Sequence, residues 1–296
     1  QGKAFFLISG AGHEAVQAAF GLLMNKGIDW AYPYYRDMCF SIAVGSTSED
    51  LMLAFLSKAD DPFSGGRQMP CHWSSKELNI PSQSSPTGTQ FLQAVGTALA
   101  LKRKNINGAV YVSSGEGTTS QGEFHEAVNW ASREKLPVIF VVQNNKWAIS
   151  VPVQNQSAGK NSSIYEMTSG YDNLLRLEID GTDFLESYKA AKSAFNYARQ
   201  GKGPVLVEAH VVRLLSHSSS DDQKKYRSRE SLQEDLQKDP IKLFADKLIR
   251  EEIITQQEFE KLQQDINSQI NQATDWAIKQ KDPIPETATR FVLDES

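Results

Sequence analysis

Two short apolar runs separated by a helix-patterned segment constrain this chain more than any other feature. Residues 109–112 (Ala-Val-Tyr-Val) and 138–142 (Val-Ile-Phe-Val-Val) are short and rich in β-branched side chains, which suits strands buried on both faces. Between them, after a tight Gly115-Glu116-Gly117 turn, residues 123–134 follow a helical pattern. Strand, helix and strand within about 40 residues make a βαβ unit, whose two strands run parallel.

A parallel sheet needs helices over both faces, and the remaining sequence supplies them. Val16, Ala19, Phe20 and Leu23 recur at helical spacing within residues 12–24, with Gly27 as a stop. The small-residue loop 83–90 leads into a second helix over residues 93–104. A third helix over residues 184–199 runs through Gly201-Lys202-Gly203-Pro204 into a strand at residues 205–211. The expected fold class is therefore α/β, a mostly parallel sheet with helices on both faces.

Residues 214–229 carry serines, two aspartates and basic side chains without an apolar period, and are expected to form a surface loop. Beyond Ser231 come polar helices with narrow apolar stripes, first Leu243, Phe244, Leu248 and Ile249, then Phe259, Leu262 and Ile266. The expected organisation is a ligand-binding core over residues 1–230, a helical C-terminal appendage over 231–281, and a tail or linker over 282–296.

At 296 residues and 40% hydrophobic content, one large core plus an appendage is affordable in surface-to-volume terms. A net charge of -5 argues against a nucleic-acid partner, so any phosphate must be held locally. The cysteines, Cys39 and Cys71, lack metal-ligand or redox spacing, which fits a reducing compartment. Bacterial-type cytoplasm is the first expectation. An organelle matrix stays open, because the chain begins with Gln1 and a preceding targeting segment is compatible with that start. The longest apolar run, residues 137–142, falls far below the roughly 20 residues a bilayer requires, so no membrane association is expected.

The chemistry concentrates at two strand ends. Gly115-Glu116-Gly117 closes one strand and Asn144-Asn145 closes the next, so both lie on the carboxyl edge where open α/β sheets bind ligands. A carboxylate and an amide oxygen can there converge on Mg²⁺, which takes octahedral oxygen ligands and pairs with phosphate. Taken alone, the same residues also suit an ordinary glycine turn and a polar helix start. A dinucleotide site would need a third glycine and an acidic end to the next strand, whereas position 120 is Ser120 and that strand ends in Gln143-Asn144-Asn145.

Together with Gly122-Glu123-Phe124-His125-Glu126-Ala127 and Gln143-Asn144-Asn145-Lys146-Trp147-Ala148-Ile149-Ser150, the pattern resembles the thiamine diphosphate signature of 2-oxo acid dehydrogenase α subunits. Gly10-Ala11-Gly12-His13-Glu14-Ala15, Tyr35-Arg36-Asp37, Gly66-Arg67-Gln68-Met69-Pro70, residues 84–90, Asp180-Gly181-Thr182-Asp183 and residues 217–227 match in the same order. The resemblance covers nearly all of residues 5–230 and implies the thiamine diphosphate-binding fold.

By that resemblance, Glu116 and Asn145 are the Mg²⁺ side-chain ligands and Trp147 adds its backbone carbonyl. Gly115, Gly117 and Thr118 bring backbone amides to the diphosphate at the start of a helix. Arg36 pairs with the diphosphate, Tyr35 lies beside the cofactor, and Gln143 and Ile149 fall at cofactor-binding positions. Ser85 and Thr87 contact the cofactor, while Ser84, Pro86, Thr89 and Gln90 are candidate K⁺ ligands; a plain helix cap is the alternative for that loop. His217 is the catalytic candidate, on a long loop that Asp221, Asp222, Tyr226 and Arg227 hold folded. In some eukaryotic relatives the serine beside this histidine is phosphorylated, and Ser218 stands there.

Two departures stand out. Gln143 replaces an arginine of branched-chain relatives, and Trp147 replaces a more usual tyrosine. The Gly-Glu-Gly turn is familiar among branched-chain enzymes. The resemblance thus implies decarboxylation of a 2-oxo acid, favoured as a branched-chain 2-oxoisovalerate type, with pyruvate or acetoin as alternatives, and acyl transfer to a lipoyl-bearing acyltransferase component. It further implies a β subunit or fused β region and an α₂β₂ assembly, because this chain shows no second domain to activate the cofactor. An NAD-binding oxidoreductase or a non-catalytic scaffold is the remote alternative.

Overall fold

The computed structural model describes residues 4–290. From the N-terminus, α1 (Glu14–Gly21) leads to β1 (Trp30–Tyr32), α2 (Met38–Val44) and α3 (Ser48–Phe55). Next, α4 (Thr89–Arg103) precedes β2 (Val110–Gly115), α5 (Gly122–Glu134) and β3 (Val138–Asn144). A small hairpin of β4 (Trp147–Ala148) and β5 (Val151–Pro152) is followed by α6 (Ile164–Met167), β6 (Leu175–Asp180), α7 (Phe184–Arg199) and β7 (Val205–His210). The chain then runs into α8 (Arg229–Leu236), α9 (Pro240–Arg250) and α10 (Gln256–Ile278).

Among the described residues, β1, β2, β3, β7 and β6 lie in that order in one sheet, each neighbouring pair parallel. Alternate side chains divide between two cores, as the pleat requires. Tyr111, Ile139, Val141, Val205 and Val207 face α1 and α7, meeting Val16, Phe20, Ala194 and Phe195. Val110, Val112, Phe140, Val142 and Leu206 face α4 and α5, meeting Phe91, Ala98, Phe124 and Val128. This is the α/β fold with covered faces that the apolar runs predict.

Several elements depart from the sequence reading. Helix α1 is shorter than expected because Gly12 adopts φ +96°, and a Cβ there would collide with the Val212 carbonyl. Helix α4 starts earlier, at Thr89, behind Gly88 at φ +100°. Strand β6 was not anticipated, since its Leu-Arg-Leu-Glu-Ile-Asp alternation marks a half-exposed edge rather than an apolar run. Helix α3 carried a legible signal, a Thr47 to Asp50 capping box.

The C-terminal helices pack onto the core. Phe244 of α9 meets Phe184 at 4.8 Å between ring centroids. Ala273 and Ala277 of α10 are buried, and Thr274 Oγ1 lies 3.4 Å from Met52 Sδ of α3. The segment after α10, which runs into the expected tail or linker at residue 282, follows the turn at residues 58–67. Ala59 N–H donates to Lys281 O at 2.9 Å, Lys58 pairs with Asp282 at 2.8 Å, and Arg67 Nε donates to Thr287 O at 3.3 Å. Two of these contacts end on backbone carbonyls, which no side-chain pattern announces. Residues 291–296 of that expected tail lie outside the described residues. Among the described residues, no helix is long and apolar enough to cross a membrane.

Phe20 is fully buried against Tyr111 and Phe195, at centroid distances of 5.8 and 6.1 Å. Phe20→Ala should destabilise the chain by about 3–5 kcal/mol in urea unfolding. Leu262→Ala on α10, where the side chain is 53% exposed, should change stability by no more than about 0.5 kcal/mol.

Candidate active site

Strands β1, β2, β3 and β7 end on the same edge of the sheet, and the segments leaving them enclose a cleft of about 260 Å³. Its walls include Tyr35, Arg36, Thr87, Gly115, Glu116, Gly117, Thr118, Asn145, Trp147, Ile149 and His217. A second cleft of about 200 Å³ shares Tyr34, Tyr35, Thr87 and Thr118 with it, and extends to Ser84, Ser85 and Gln90. Residues far apart in sequence thus converge because parallel strands deliver their carboxyl ends to one place.

Glu116 follows directly from β2 and is 2% exposed. Its Oε2 accepts the Asn145 backbone N–H at 3.3 Å, while Oε1 has no hydrogen-bond partner. Burial pushes this carboxyl up to about 7. A buried carboxylate oxygen without a donor is costly, and a hard cation would relieve it. Asn145 sits opposite with its Oδ1 accepting from Trp147 N–H at 3.1 Å and its Nδ2 3.3 Å from His13 Nε2.

Gly117 is needed for a steric reason, since a Cβ there would lie 2.5 Å from Ala148 Cβ. The turn after β3 therefore closes tightly over residues 116–120. Those residues form a short 3-10 turn, with α5 beginning only at Gly122, so the expected helix start at Gly117 and Thr118 is corrected to a separate turn. A five-residue turn of this kind lacks the long dipole of an α-helix and offers an anion only its leading N–H groups. Ile149 takes φ +53°, a backbone state costing a β-branched residue about 1–3 kcal/mol. Arg213 Nη1 holds it there by donating to its carbonyl at 3.0 Å.

Arg36 is buried, donates from Nη1 to Ser9 O at 2.6 Å, and lies 5.4 Å from the Tyr35 ring centre. Its Nη2 is 3.3 Å from His217 Nδ1. A guanidinium only donates, so Nδ1 accepts and the imidazole proton sits on Nε2. Burial, then the charges of Arg36 and Arg213, push His217 down to about 4. His217 is thus a neutral hydrogen-bond donor at the cleft.

The His217 loop is internally wired rather than a plain surface loop. Asp221 accepts from His217 N–H at 2.8 Å and from Tyr226 OH at 2.5 Å, and Asp222 accepts from Lys224 N–H at 3.1 Å. Arg227 Nη1 donates to Arg213 O at 3.0 Å. The Trp147 ring lies 5.8 Å from Tyr226 and 5.5 Å from the Arg227 guanidinium, so the indole supports this loop as well as offering a carbonyl.

The 84–90 loop is partly bonded within itself. Ser85 Oγ is 2.7 Å from His72 Nε2, Thr89 Oγ1 donates to Pro86 O at 3.1 Å, and Gln90 Oε1 accepts from Gly88 N–H at 3.0 Å. Pro86 and Thr89 line neither cleft. The cap position of α4 is Gly88, which makes no side-chain cap bond, so the Ser/Thr cap alternative is not what forms.

Gln143 lies behind the cleft. It is fully buried and absent from the cleft wall, because on β3 it shares the pleat face of Ile139 and Val141, toward α1. There its Oε1 takes contacts from His13 Nδ1 at 2.8 Å and Gln17 Nε2 at 2.9 Å, and its Nε2 donates to Asp37 at 2.6 Å. Burial pushes Asp37 up to about 6 and His13 down to about 3. His13, Tyr34 and Arg213 were not singled out as site residues. His13 stood within a matched motif, but only the fold reveals that it reaches Asn145.

The family model described as Dehydrogenase E1 component matches residues 1–286. The 2-oxoisovalerate dehydrogenase subunit alpha of Bacillus subtilis is 41% identical over 291 residues, spanning 98% of this chain and 87% of the relative. The pyruvate dehydrogenase E1 component subunit alpha of the same organism is 35% identical, over 97% of this chain and 72% of the relative. The mitochondrial 2-oxoisovalerate dehydrogenase subunit alpha 1 of Arabidopsis thaliana is 32% identical, over 97% of this chain and 60% of the relative.

Glu116 titrates at about 7 when folded against an ordinary 4.5, so the unfolded chain loses this proton first as pH rises. Stability contributed by the protonated form is full below 4.5 and is lost as pH passes about 7. At about 1.36 kcal/mol per pH unit this amounts to roughly 3 kcal/mol. Glu116→Gln should therefore melt above the wild type at about pH 8 in chelator, and level with it at about pH 4, in thermal unfolding.

Proposed function

This chain belongs to the dehydrogenase E1 component family, and from that premise we propose that it acts as the α subunit of a thiamine diphosphate-dependent 2-oxo acid dehydrogenase. The observation that carries the reading is the unpartnered, buried Glu116 Oε1 beside Asn145, in a cleft that also contains Arg36 and His217. That donor set suits Mg²⁺ with a diphosphate: hard oxygen ligands on one side, a guanidinium fork on the other.

Glu116 and Asn145 would hold Mg²⁺ with their side chains and Trp147 with its carbonyl. Arg36 would pair with diphosphate oxygens, and the amides near Gly115, Gly117 and Thr118 would donate to them. Tyr35 and Ile149 flank this region, while Ser85 and Thr87 line the adjoining cleft and receive the rest of the cofactor. Ser84, Pro86, Thr89 and Gln90 would ligate K⁺. When bound, thiamine diphosphate supplies the electron sink for decarboxylating a 2-oxo acid.

His217 works on this reading as a neutral donor. Arg36 occupies its Nδ1, so Nε2–H is available to an oxygen of the diphosphate or of the reacting acyl group. Being uncharged near neutral pH, it can also take part in proton movement without first losing a proton to solvent.

The identity of 41% to a 2-oxoisovalerate relative, against 35% to a pyruvate relative, supports a branched-chain substrate; pyruvate and acetoin are the alternatives. A β subunit or fused β region completes the site in an α₂β₂ assembly, and a lipoyl-bearing acyltransferase receives the acyl group. Apolar side chains in the cleft walls support a covering partner: Met69 and Ile149 are each 54% exposed. The proposed location is the cytoplasm, with an organelle matrix as the alternative.

Glu116→Ala should abolish Mg²⁺-dependent thiamine diphosphate binding by the chain reconstituted with its β partner, measured by titration calorimetry; unchanged binding refutes the metal assignment. His217→Ala should lower kcat at least about 100-fold with a smaller effect on cofactor affinity, in a decarboxylation assay across a panel of 2-oxo acids.

A further inference from the structure

An asparagine can serve a cation only when its oxygen, not its NH₂, faces the metal, and the two are nearly identical in shape. We propose that His13 is a positioning residue for the cation site: a buried relay from Asp37 through Gln143 and His13 dictates the orientation of the Asn145 amide. The proposal rests on the metal reading given above and extends it beyond the ligands themselves.

Both ends of the relay are chemically fixed. Asp37 already accepts from Ser113 Oγ and from Tyr111 OH at 3.1 Å, so the Gln143 group 2.6 Å from its other oxygen must be the donating Nε2. Gln143 Oε1 then points the opposite way, to His13 Nδ1 at 2.8 Å, which must carry the proton. Gln17 reinforces this choice. Its Oε1 accepts from Cys39 N–H at 3.2 Å, so its Nε2 is the group that donates to Gln143 Oε1.

With the proton on Nδ1, His13 Nε2 is a bare acceptor, and it faces Asn145 Nδ2 at 3.3 Å. At the far end the Trp147 backbone N–H can only donate, and it points to Asn145 Oδ1 at 3.1 Å. The two ends therefore demand the same amide orientation. Turning the amide over would set N–H against N–H at Trp147 and oxygen against a lone pair at His13. One lone pair of Asn145 Oδ1 is used by Trp147, and the other remains for a cation.

His13, Gln17, Asp37 and Gln143 are fully buried, so water does not compete for these bonds. The relay also gives a reason for an amide at position 143. An arginine only donates, and could not accept from His13 Nδ1–H.

The test uses the chain reconstituted with its β partner and thiamine diphosphate, with Mn²⁺ as the probe read by electron paramagnetic resonance. His13→Phe keeps the ring shape but removes both bonds, and should weaken Mn²⁺ binding about 10- to 100-fold. His13→Gln retains one donor and one acceptor and should recover most of that loss. Wild-type affinity in His13→Phe overturns the relay while leaving the metal reading intact. Equal Mn²⁺ binding by the wild type and Glu116→Ala overturns the metal reading instead. Should His13→Phe fail to assemble, ¹⁵N magnetic resonance on histidine-labelled wild type decides: a protonated Nδ1 with a bare Nε2 supports the relay, and the reverse tautomer or an imidazolium overturns it.

Discussion

The parallel pairing of β2 with β3 is the constraint on which the rest depends. Gly115 stands opposite Gln143 in that ladder, so Glu116 and Asn145 are each carried just past the sheet edge together. Because the pleat has a period of two residues, a slip of one would exchange every face. Gln143 would then leave the α1 side, and Asn144, which now donates to Glu208 at 2.7 Å, would lose that buried partner. The apolar partition between the two cores resists such a slip, so packing remote from the cleft sets the spacing of Glu116 and Asn145.

The cleft carries groups of both signs, a buried carboxyl and two guanidinium groups. Glu116 presents a destabilised carboxyl, and burial, reinforced by the positive charges of Arg36 and Arg213, keeps His13 and His217 neutral. Neutral imidazoles are what such a site needs near a metal, since protonated ones would repel it and could not accept from an amide. Asp37, behind the cleft, ends the buried network by accepting from Gln143 Nε2, Ser113 Oγ and Tyr111 OH, and thereby sets the direction of its hydrogen bonds.

Much of the core was legible because fully buried parallel strands need continuous apolar runs, and residues 138–142 are one such run. The edge strands β1 and β6 were not, since three residues in one case and alternating charges in the other carry no such mark. Glu116, Asn145, Arg36 and His217 were legible through their motifs, and the fold brings them to one cleft. The burial of Gln143 behind the cleft was not legible, because its motif position is adjacent to Asn145 while its strand parity points toward α1. The role of His13 was hidden for the complementary reason, since its partner lies 132 positions away along the chain.

The turn after β3 and the histidine loop behave as one unit. Arg213 is the link: one arm donates to the carbonyl of strained Ile149, the other to Tyr226 OH at 2.7 Å, which in turn anchors Asp221 and the His217 backbone. On the opposite side the Trp147 indole packs with Tyr226 and Arg227. Ile149 cannot relax out of its left-handed state without releasing Arg213, and Arg213 cannot turn away without loosening the loop that presents His217. Strain stored at the turn after β3 is therefore maintained by the same contacts that order the loop after β7. The Ile149 turn and the His217 loop are thereby held in one frame, although 64 positions separate Ile149 from Arg213 along the chain.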